Sequence, residues 1–330
     1  MKAIVLTKFG PPDVLQLKEV EKPVPKDNEV LIRVHATTVF AGDYEIRNLK
    51  VPVELRLPFL IYISFFRPRP IILGQELAGE IEAVGKEVTK FKAGDPVFAT
   101  TSIGLGAYAE YKCMPEKPGV MGGTLAIKPA NLTYAEAAAV PVSGLEALHF
   151  VRTTNIQSGE KVLINGAGGS IGTMAIQLAK VRGAEVTAVD STAKLDMLRS
   201  IGADHVIDYT QEDFTRRGQA YDVIIDVVGK SSFSRSLRSL QQNGRYLLVN
   251  PGLSQRIRAR WTSTGSKQVI HGTGSQKAED LLFLKDLIEA GRLKPVIDRR
   301  YRLEQMVQAH RYVDTGHKKG NVVITVDHDN

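Results

Sequence analysis

A single cysteine, Cys113, stands among the 330 residues. One thiol cannot close an intrachain disulfide, so the framework of a small secreted protein is excluded, and a reducing cytoplasm is the expected compartment. Long apolar runs are missing too. The opening Met1-Lys2-Ala3-Ile4-Val5-Leu6 is interrupted by Lys8 and Pro11. It has no small-residue cleavage site and does not read as a signal peptide. The uncharged stretch Leu57 to Phe66 has ten residues, too few to span a bilayer. Blocks of like charge are also absent. Lys and Arg number 43 against 36 Asp and Glu, a net +7, but they are scattered and mixed. No nucleic-acid motif accompanies them, so no nucleic-acid partner is expected, and an anionic cofactor is the simpler reason for the positive balance. The seven histidines (His35, His149, His205, His271, His310, His317 and His328) do not fall at metal-ligand spacings.

What is present describes a soluble globular chain of about two domains. Short β-type runs fill the first part: Ala3–Leu6, Leu17–Pro23, Glu29–His35, Glu80–Val84 and Pro96–Ala99. They are punctuated by Gly10-Pro11-Pro12, Pro23, Pro25, Gly85 and Gly94. The character changes near Pro129. Thr133 followed by Glu136 is a capping box that opens a helical stretch. From Lys161 strands and helices alternate. Strands are predicted at 161–165, 185–189, 204–207, 222–226, 245–249 and 267–271, and helices at 170–181, 192–201, 212–216 and 231–241. Such alternation makes a doubly wound parallel sheet. The chain then reverts, with helices at 277–290 and 303–314 and strands at 299–302 and 321–326. Residues 1–128 plus 277–330 are therefore expected to form one mainly β domain, into which a nucleotide-binding domain, 129–276, is inserted.

The strongest signal runs from Lys161 to Gly172: Lys-Val-Leu-Ile-Asn-Gly-Ala-Gly-Gly-Ser-Ile-Gly. An apolar strand enters a glycine-rich turn and leaves as a helix. Gly166, Ala167, Gly168, Gly169, Ser170 and Ile171 are placed to bring backbone N–H groups up to a pyrophosphate, and Gly172 lets the helix lie close to the sheet. Asp190 ends the return strand about 20 residues beyond the loop, where a ribose-binding acid belongs. It would accept the ribose hydroxyls and repel a 2′-phosphate, which favours NADH. Ser191 and Lys194 follow and could instead hold that phosphate, with Asp190 turned away or neutralised by Lys194. They could equally be a helix cap and a solvated lysine.

Other segments resemble the medium-chain dehydrogenase/reductase superfamily, and within it the zinc-free, quinone oxidoreductase-like group. They are Ala36–Asp43, Gly74–Gly85, Phe91–Val97, Ala138–Leu145, Leu198–Asp204 and Leu287–Pro295, besides the glycine loop. The resemblance covers nearly the whole length. It implies an α/β protein in which a doubly wound parallel Rossmann sheet is inserted in a mainly β, GroES-like catalytic domain. It further implies a homodimer, an NADPH cofactor, and cofactor contacts from Phe40, Ser143, Tyr209, Val227, Val228, Gly229, Val249, Asn250 and Pro251. Zinc-dependent relatives would have cysteine at Phe40, histidine at Gln75 and cysteine near Val142. With Glu76 alone remaining and no four-cysteine lobe, no metal is expected.

Without a Lewis acid the chemistry suits substrates that are already electrophilic, such as quinones and α,β-unsaturated carbonyls. Tyr44 and Gln75 are the candidate donors to the developing oxyanion. Tyr44 could equally be a half-buried aromatic, and Gln75 a structural hydrogen-bonding residue. Residues 51–70, apolar and aromatic with Arg67 and Arg69 at the end, read as a cap that selects a small lipophilic substrate, as a weak membrane-surface contact, or as a packed loop. Two other functions stay open: alcohol or aldehyde redox, and a catalytically silent cofactor-sensing or interaction protein, since the Phe40 ring could crowd a nicotinamide.

Overall fold

The structure is a computed structural model that describes residues 1–50, 71–119, 122–229, 231–249, 266–272 and 277–328. Residues 51–70, with the three readings given above, lie outside the described residues, as do Asn250 and Pro251. By its contacts the chain divides into two compact units. One is Met1–Val142 with Gln276–Glu289 and Pro295–Asn330; the other is Ser143–Ser275 with Ala290–Lys294.

The first unit opens with β1 (Lys2–Leu6), β2 (Leu15–Glu19), β3 (Glu29–Thr38), a short helix α1 (Ala41–Arg47) and β4 (Ile71–Ile72). It continues through β5 (Glu76–Val84), β6 (Pro96–Thr100), β7 (Tyr111–Pro115), β8 (Thr124–Ile127) and α2 (Tyr134–Ala138). Strand β2 sits at Leu15–Glu19 rather than 17–23, because its register on β1 pairs Leu6 with Leu15 and Lys2 with Glu19. The segment 129–142 belongs with this unit, since α2 packs on β3 and β5. Thr133 caps α2: its hydroxyl accepts the Glu136 N–H while the Glu136 carboxylate accepts the Thr133 N–H.

The second unit takes over within α3 (Pro141–Thr153) and alternates β9 (Lys161–Asn165), α4 (Ser170–Val181), β10 (Glu185–Asp190), α5 (Leu195–Ser200), β11 (His205–Asp208), β12 (Tyr221–Asp226), α6 (Phe233–Arg238), β13 (Leu240–Leu248) and β14 (Gln268–His271). All pairings are parallel, in the order β11-β10-β9-β12-β13-β14. This is the dinucleotide-fold order, 3-2-1-4-5-6. Val162, Leu163 and Ile164 of β9 are all buried, as a strand covered on both faces requires. Three predicted helices shorten. Residues 192–201 become a 3₁₀ turn, Thr192–Lys194, followed by α5; 212–216 is one turn, Phe214–Arg216; and 231–241 ends at Arg238. The last ends early because Leu240 already pairs with Tyr221, and Asn243 with φ 63° resets the ladder before Arg245.

The chain returns to the first unit as α7 (Ala278–Glu289), β15 (Ile297–Arg302), α8 (Met306–Asp314) and β16 (Asn321–Thr325). Among the described residues its main sheet runs β15-β16-β3-β5-β6-β8, with β7 also on β3; β2-β1-β4 form a smaller sheet. Strand β3 alternates from Ile32 to Ala36. Val30, Ile32, Val34 and Ala36 are buried, and the first three join a core with Leu77, Ile81, Val97, Val322 and Ile324. Each such side chain stabilises the fold by about 1.5–3 kcal/mol relative to exposure. No helix among the described residues is long and apolar enough to cross a membrane.

Candidate active site

In the second unit the chain turns sharply after β9. Gly166 has φ 81°, and the N–H groups of Gly166 and Ala167 both donate to Val189 O at 3.1 Å. A Cβ on Gly172 would lie 2.5 Å from Gly166 O and 2.6 Å from Ala167, backbone atoms that cannot move aside, so α4 reaches the loop only with glycine there. Gly169 caps α4 in extended conformation, and the first helical bond is Thr173 N–H to Gly169 O at 3.0 Å. The N–H groups of Ile171 and Gly172 precede it and have no acceptor within the helix. Among the described residues a Cβ on Gly169 would meet nothing nearer than Gly166 O at 3.8 Å, so they leave the face of the loop in front of those donors uncovered. Such a cradle fits a diphosphate. Ala167 N–H does not share in it, being held by Val189.

Asp190 is turned inward. Its carboxylate accepts Gly168 N–H at 2.7 Å and Ser191 N–H at 2.8 Å, and pairs with Lys194 Nζ at 3.1 Å. The expected ribose acid is thus a brace for the loop, and Gly168 N–H faces it rather than the cradle. Tyr209 follows β11 with its N–H on Asp190 O at 3.1 Å and its side chain exposed. Across the sheet Val227 N–H donates to Asn165 O at 3.0 Å, and Val228, half exposed, lies over Gly166. The loop is held by Asp226, which is fully buried. Its carboxylate accepts Asn165 Nδ2 at 2.9 Å, Gly229 N–H at 2.8 Å, Tyr246 Oη at 3.0 Å and the Ser231 hydroxyl, and its own carbonyl accepts Val249 N–H. Ser143, near the start of α3, is buried.

In the first unit Phe40 ends the run from β3 and its N–H donates to Asp43 Oδ2 at 3.0 Å. Asp43 Oδ1 accepts Gly74 N–H at 3.1 Å, so one carboxylate ties the Phe40 segment to the Gln75 segment. The Gln75 carboxamide lies against Gly42, where a Cβ would come within 2.4 Å of its Nε2. Glu76 ties two more segments: Oε1 accepts the Thr38 hydroxyl and Oε2 accepts Val142 N–H at 2.8 Å. Both acids are completely buried, and burial pushes each carboxyl up to about 7 against the pull of its hydrogen bonds. The Tyr108 hydroxyl lies beside Asp43, and burial raises its pKa further. Behind them the Arg47 guanidinium is buried, donating to Gly10 O at 3.1 Å, His310 Nδ1 at 3.1 Å and Asp314 Oδ2 at 2.6 Å. Tyr44 is half-buried with its ring against the core, and desolvation raises its phenol pKa.

Sequence reasoning passed over the roles of Asp43, Tyr108 and Arg47. Asp43 three residues after Phe40 has the spacing of a helix-start acid, which was a usable signal. The partners of Arg47 and Asp226 lie up to 267 and 61 residues away, and no local pattern announces them.

Two family models match this chain: "Alcohol dehydrogenase GroES-like domain" over residues 26–148 and "Zinc-binding dehydrogenase" over 201–324. A tomato (Solanum lycopersicum) protein, 2-methylene-furan-3-one reductase, is 32% identical, over 98% of this chain and 79% of its own. The chain belongs to the medium-chain dehydrogenase/reductase superfamily, in its quinone oxidoreductase-like group. Members of this group are oxidoreductases, and this chain is one of them. Its fold is similar to that of the quinone oxidoreductase from Coxiella burnetii, with TM-score 0.87, 29% identity and 99% of each chain covered. The Escherichia coli quinone oxidoreductase complexed with NADPH is similar as well, with TM-score 0.81, 26% identity, and 98% of this chain and 100% of that one covered.

Proposed function

We propose that the chain is an NAD(P)H-dependent reductase that delivers a hydride to a quinone or an α,β-unsaturated carbonyl without zinc. One observation carries this reading: the side chains at the three positions where zinc-dependent relatives hold their metal. Phe40 and Val142 have no ligating side-chain atom, and the Gln75 carboxamide is pressed against Gly42. A catalytic zinc takes three protein ligands of the Cys, His or carboxylate type. Without one, an alcohol hydroxyl is not made acidic enough to release its proton. A quinone or enone needs no such help, because the charge that arrives with the hydride spreads onto oxygen. The named activities of the tomato and Coxiella relatives, and the NADPH held by the Escherichia coli one, agree with this class.

Bound at the glycine loop, a nicotinamide dinucleotide supplies the hydride. The chain's own groups do the rest. The Ile171 and Gly172 N–H groups hold the diphosphate, and Asp226 fixes the Val227–Gly229 loop beside it. Asp43 and Glu76 hold the Phe40, Gln75 and Val142 segments in register, which keeps the substrate-facing groups from reorganising as charge develops. Tyr44 and Gln75, both neutral at pH 7, are the donors we assign to the substrate oxygen, and Tyr44 can also return a proton.

Loss of the 340 nm absorbance of NADH and NADPH, followed with a panel of quinones, enals, enones, alcohols and aldehydes, tests this reading before and after dialysis against a chelator. Oxidation by a quinone or an enone that is indifferent to chelation is the expected result. Dinucleotide binding with no turnover on any acceptor would make the chain a sensor. Stoichiometric zinc whose removal ends the activity would make it a metal enzyme, and failure to bind either dinucleotide would remove the reading altogether.

A further inference from the structure

Cofactor choice turns on what the protein presents to the 2′ position of the adenosine ribose. An acid with a free oxygen accepts the two ribose hydroxyls and repels a phosphate; a free cation holds the phosphate. This chain has both groups, four residues apart, and both are taken. Asp190 Oδ2 accepts Gly168 N–H at 2.7 Å, while Oδ1 accepts Ser191 N–H at 2.8 Å and faces Lys194 Nζ at 3.1 Å. The two side chains retain only 7% and 9% of their exposure. The Lys194 stem crosses Gly168 so closely that a Cβ there would come within 2.4 Å of its Cδ. The intervening turn is fixed at both ends: Lys194 N–H bonds Ser191 O at 2.9 Å, and the Thr192 hydroxyl is held by Asp208, which also takes Thr210. Besides this closed pair, Tyr209 is an exposed aromatic at the strand end, with the Ser191 hydroxyl nearby. Both are neutral groups that can bond a hydroxyl or a phosphate.

We propose that Asp190 and Lys194 form a closed, charge-neutral pair that leaves the chain without strong preference between NADH and NADPH, with Lys194 a latent phosphate-binding cation that Asp190 holds back. The inference rests on the dinucleotide reading given above. It assigns Asp190 a task other than ribose binding: it pins Gly168 and withdraws the Lys194 cation from a 2′-phosphate.

Fluorescence titration of the whole chain with NADH and with NADPH, at fixed salt, tests it. The unaltered protein is expected to bind the two within about fivefold of each other, a difference of less than one factor of ten in Kd. Asp190→Asn keeps an oxygen for Gly168 N–H but no longer pairs Lys194. It is expected to shift the affinity ratio toward NADPH by about tenfold or more, as a freed cation on a phosphate would. Adding Lys194→Met to that variant should return the ratio to its starting value. A preference above about fiftyfold in the unaltered chain overturns the proposal without recourse to any variant. So does a ratio that Asp190→Asn leaves unmoved, or a shift that persists in the double variant. If neither dinucleotide binds the unaltered chain, the parent reading falls and takes this one with it. If both bind and the ratios disobey, only this one falls.

Discussion

Replacing Glu76 by glutamine should make the protein more stable above neutral pH. Glu76 is completely buried, and burial raises its carboxyl from 4.5 to about 7. In the unfolded chain the proton leaves near 4.5; in the folded chain it stays until about 7. Between those values the folded state binds more protons, so stability declines as pH rises through that window and stays lower above it. The interval corresponds to about 3 kcal/mol. Glutamine removes the penalty and can keep both contacts. Its oxygen accepts Val142 N–H, and its amide donates to the Thr38 hydroxyl, which rotates to accept. Asp43 makes the contrast. Burial raises its carboxyl from 3.8 to about 7 as well, but both of its oxygens accept backbone N–H groups, from Phe40 and Gly74. Asparagine can satisfy only one of them and turns a donor on the other, a buried mismatch of about 1–3 kcal/mol. Urea unfolding at pH 5 and pH 8.5 decides the matter. Glu76→Gln should be near the unaltered chain at pH 5 and up to about 3 kcal/mol more stable at pH 8.5, while Asp43→Asn should show a smaller gain or a loss. A Glu76→Gln variant destabilised equally at both pH values would refute the reasoning, since it would mean that the ionised carboxylate is what its partners require.

Three further outcomes follow from the same geometry. Gly172→Ala places a methyl against the Gly166 and Ala167 backbone, so dinucleotide affinity should drop by at least about tenfold in titrations, the loss expected when the loop must shift. Asp226→Ala strands the Asn165, Gly229 and Tyr246 donors and should cost about 3–5 kcal/mol in unfolding experiments; Asp226→Asn, which keeps an acceptor for two of them, should cost less. His310 is buried beside Arg47, and its pKa is pushed down to about 3 by desolvation first and the guanidinium second. Its imidazole ¹⁵N shifts should therefore stay those of a neutral ring from pH 5 to pH 9; titration near 6.5 would contradict the placement.

Much of the architecture was legible because it rests on local periodicity. The run from Lys161 to Gly172 specifies strand, turn and helix within twelve residues, since glycine spacing and apolar alternation act on neighbours. Thr133 and Glu136 announced their capping box for the same reason. Helix α1 was missed because it has seven residues, and its start depends on Asp43 bonding back to Phe40. Strands β7 and β8 were missed because their apolar pattern is short and their pairing partners, β3 and β6, are distant in sequence.

The site divides along the same line. The family resemblance implied that the positions of the relatives' zinc ligands hold no cysteine or histidine here, and residue types alone pointed to a dinucleotide fold in the glycine loop followed by Asp190. Residue types could not say where Asp190 would point. Only the packed structure shows its carboxylate turned onto Gly168 and Lys194, and only it assembles Asp43, Glu76 and Tyr108 into one buried group. The physical reason is that a buried charge must find partners, and those partners are chosen by how strands and loops meet across the fold rather than by their neighbours along the chain.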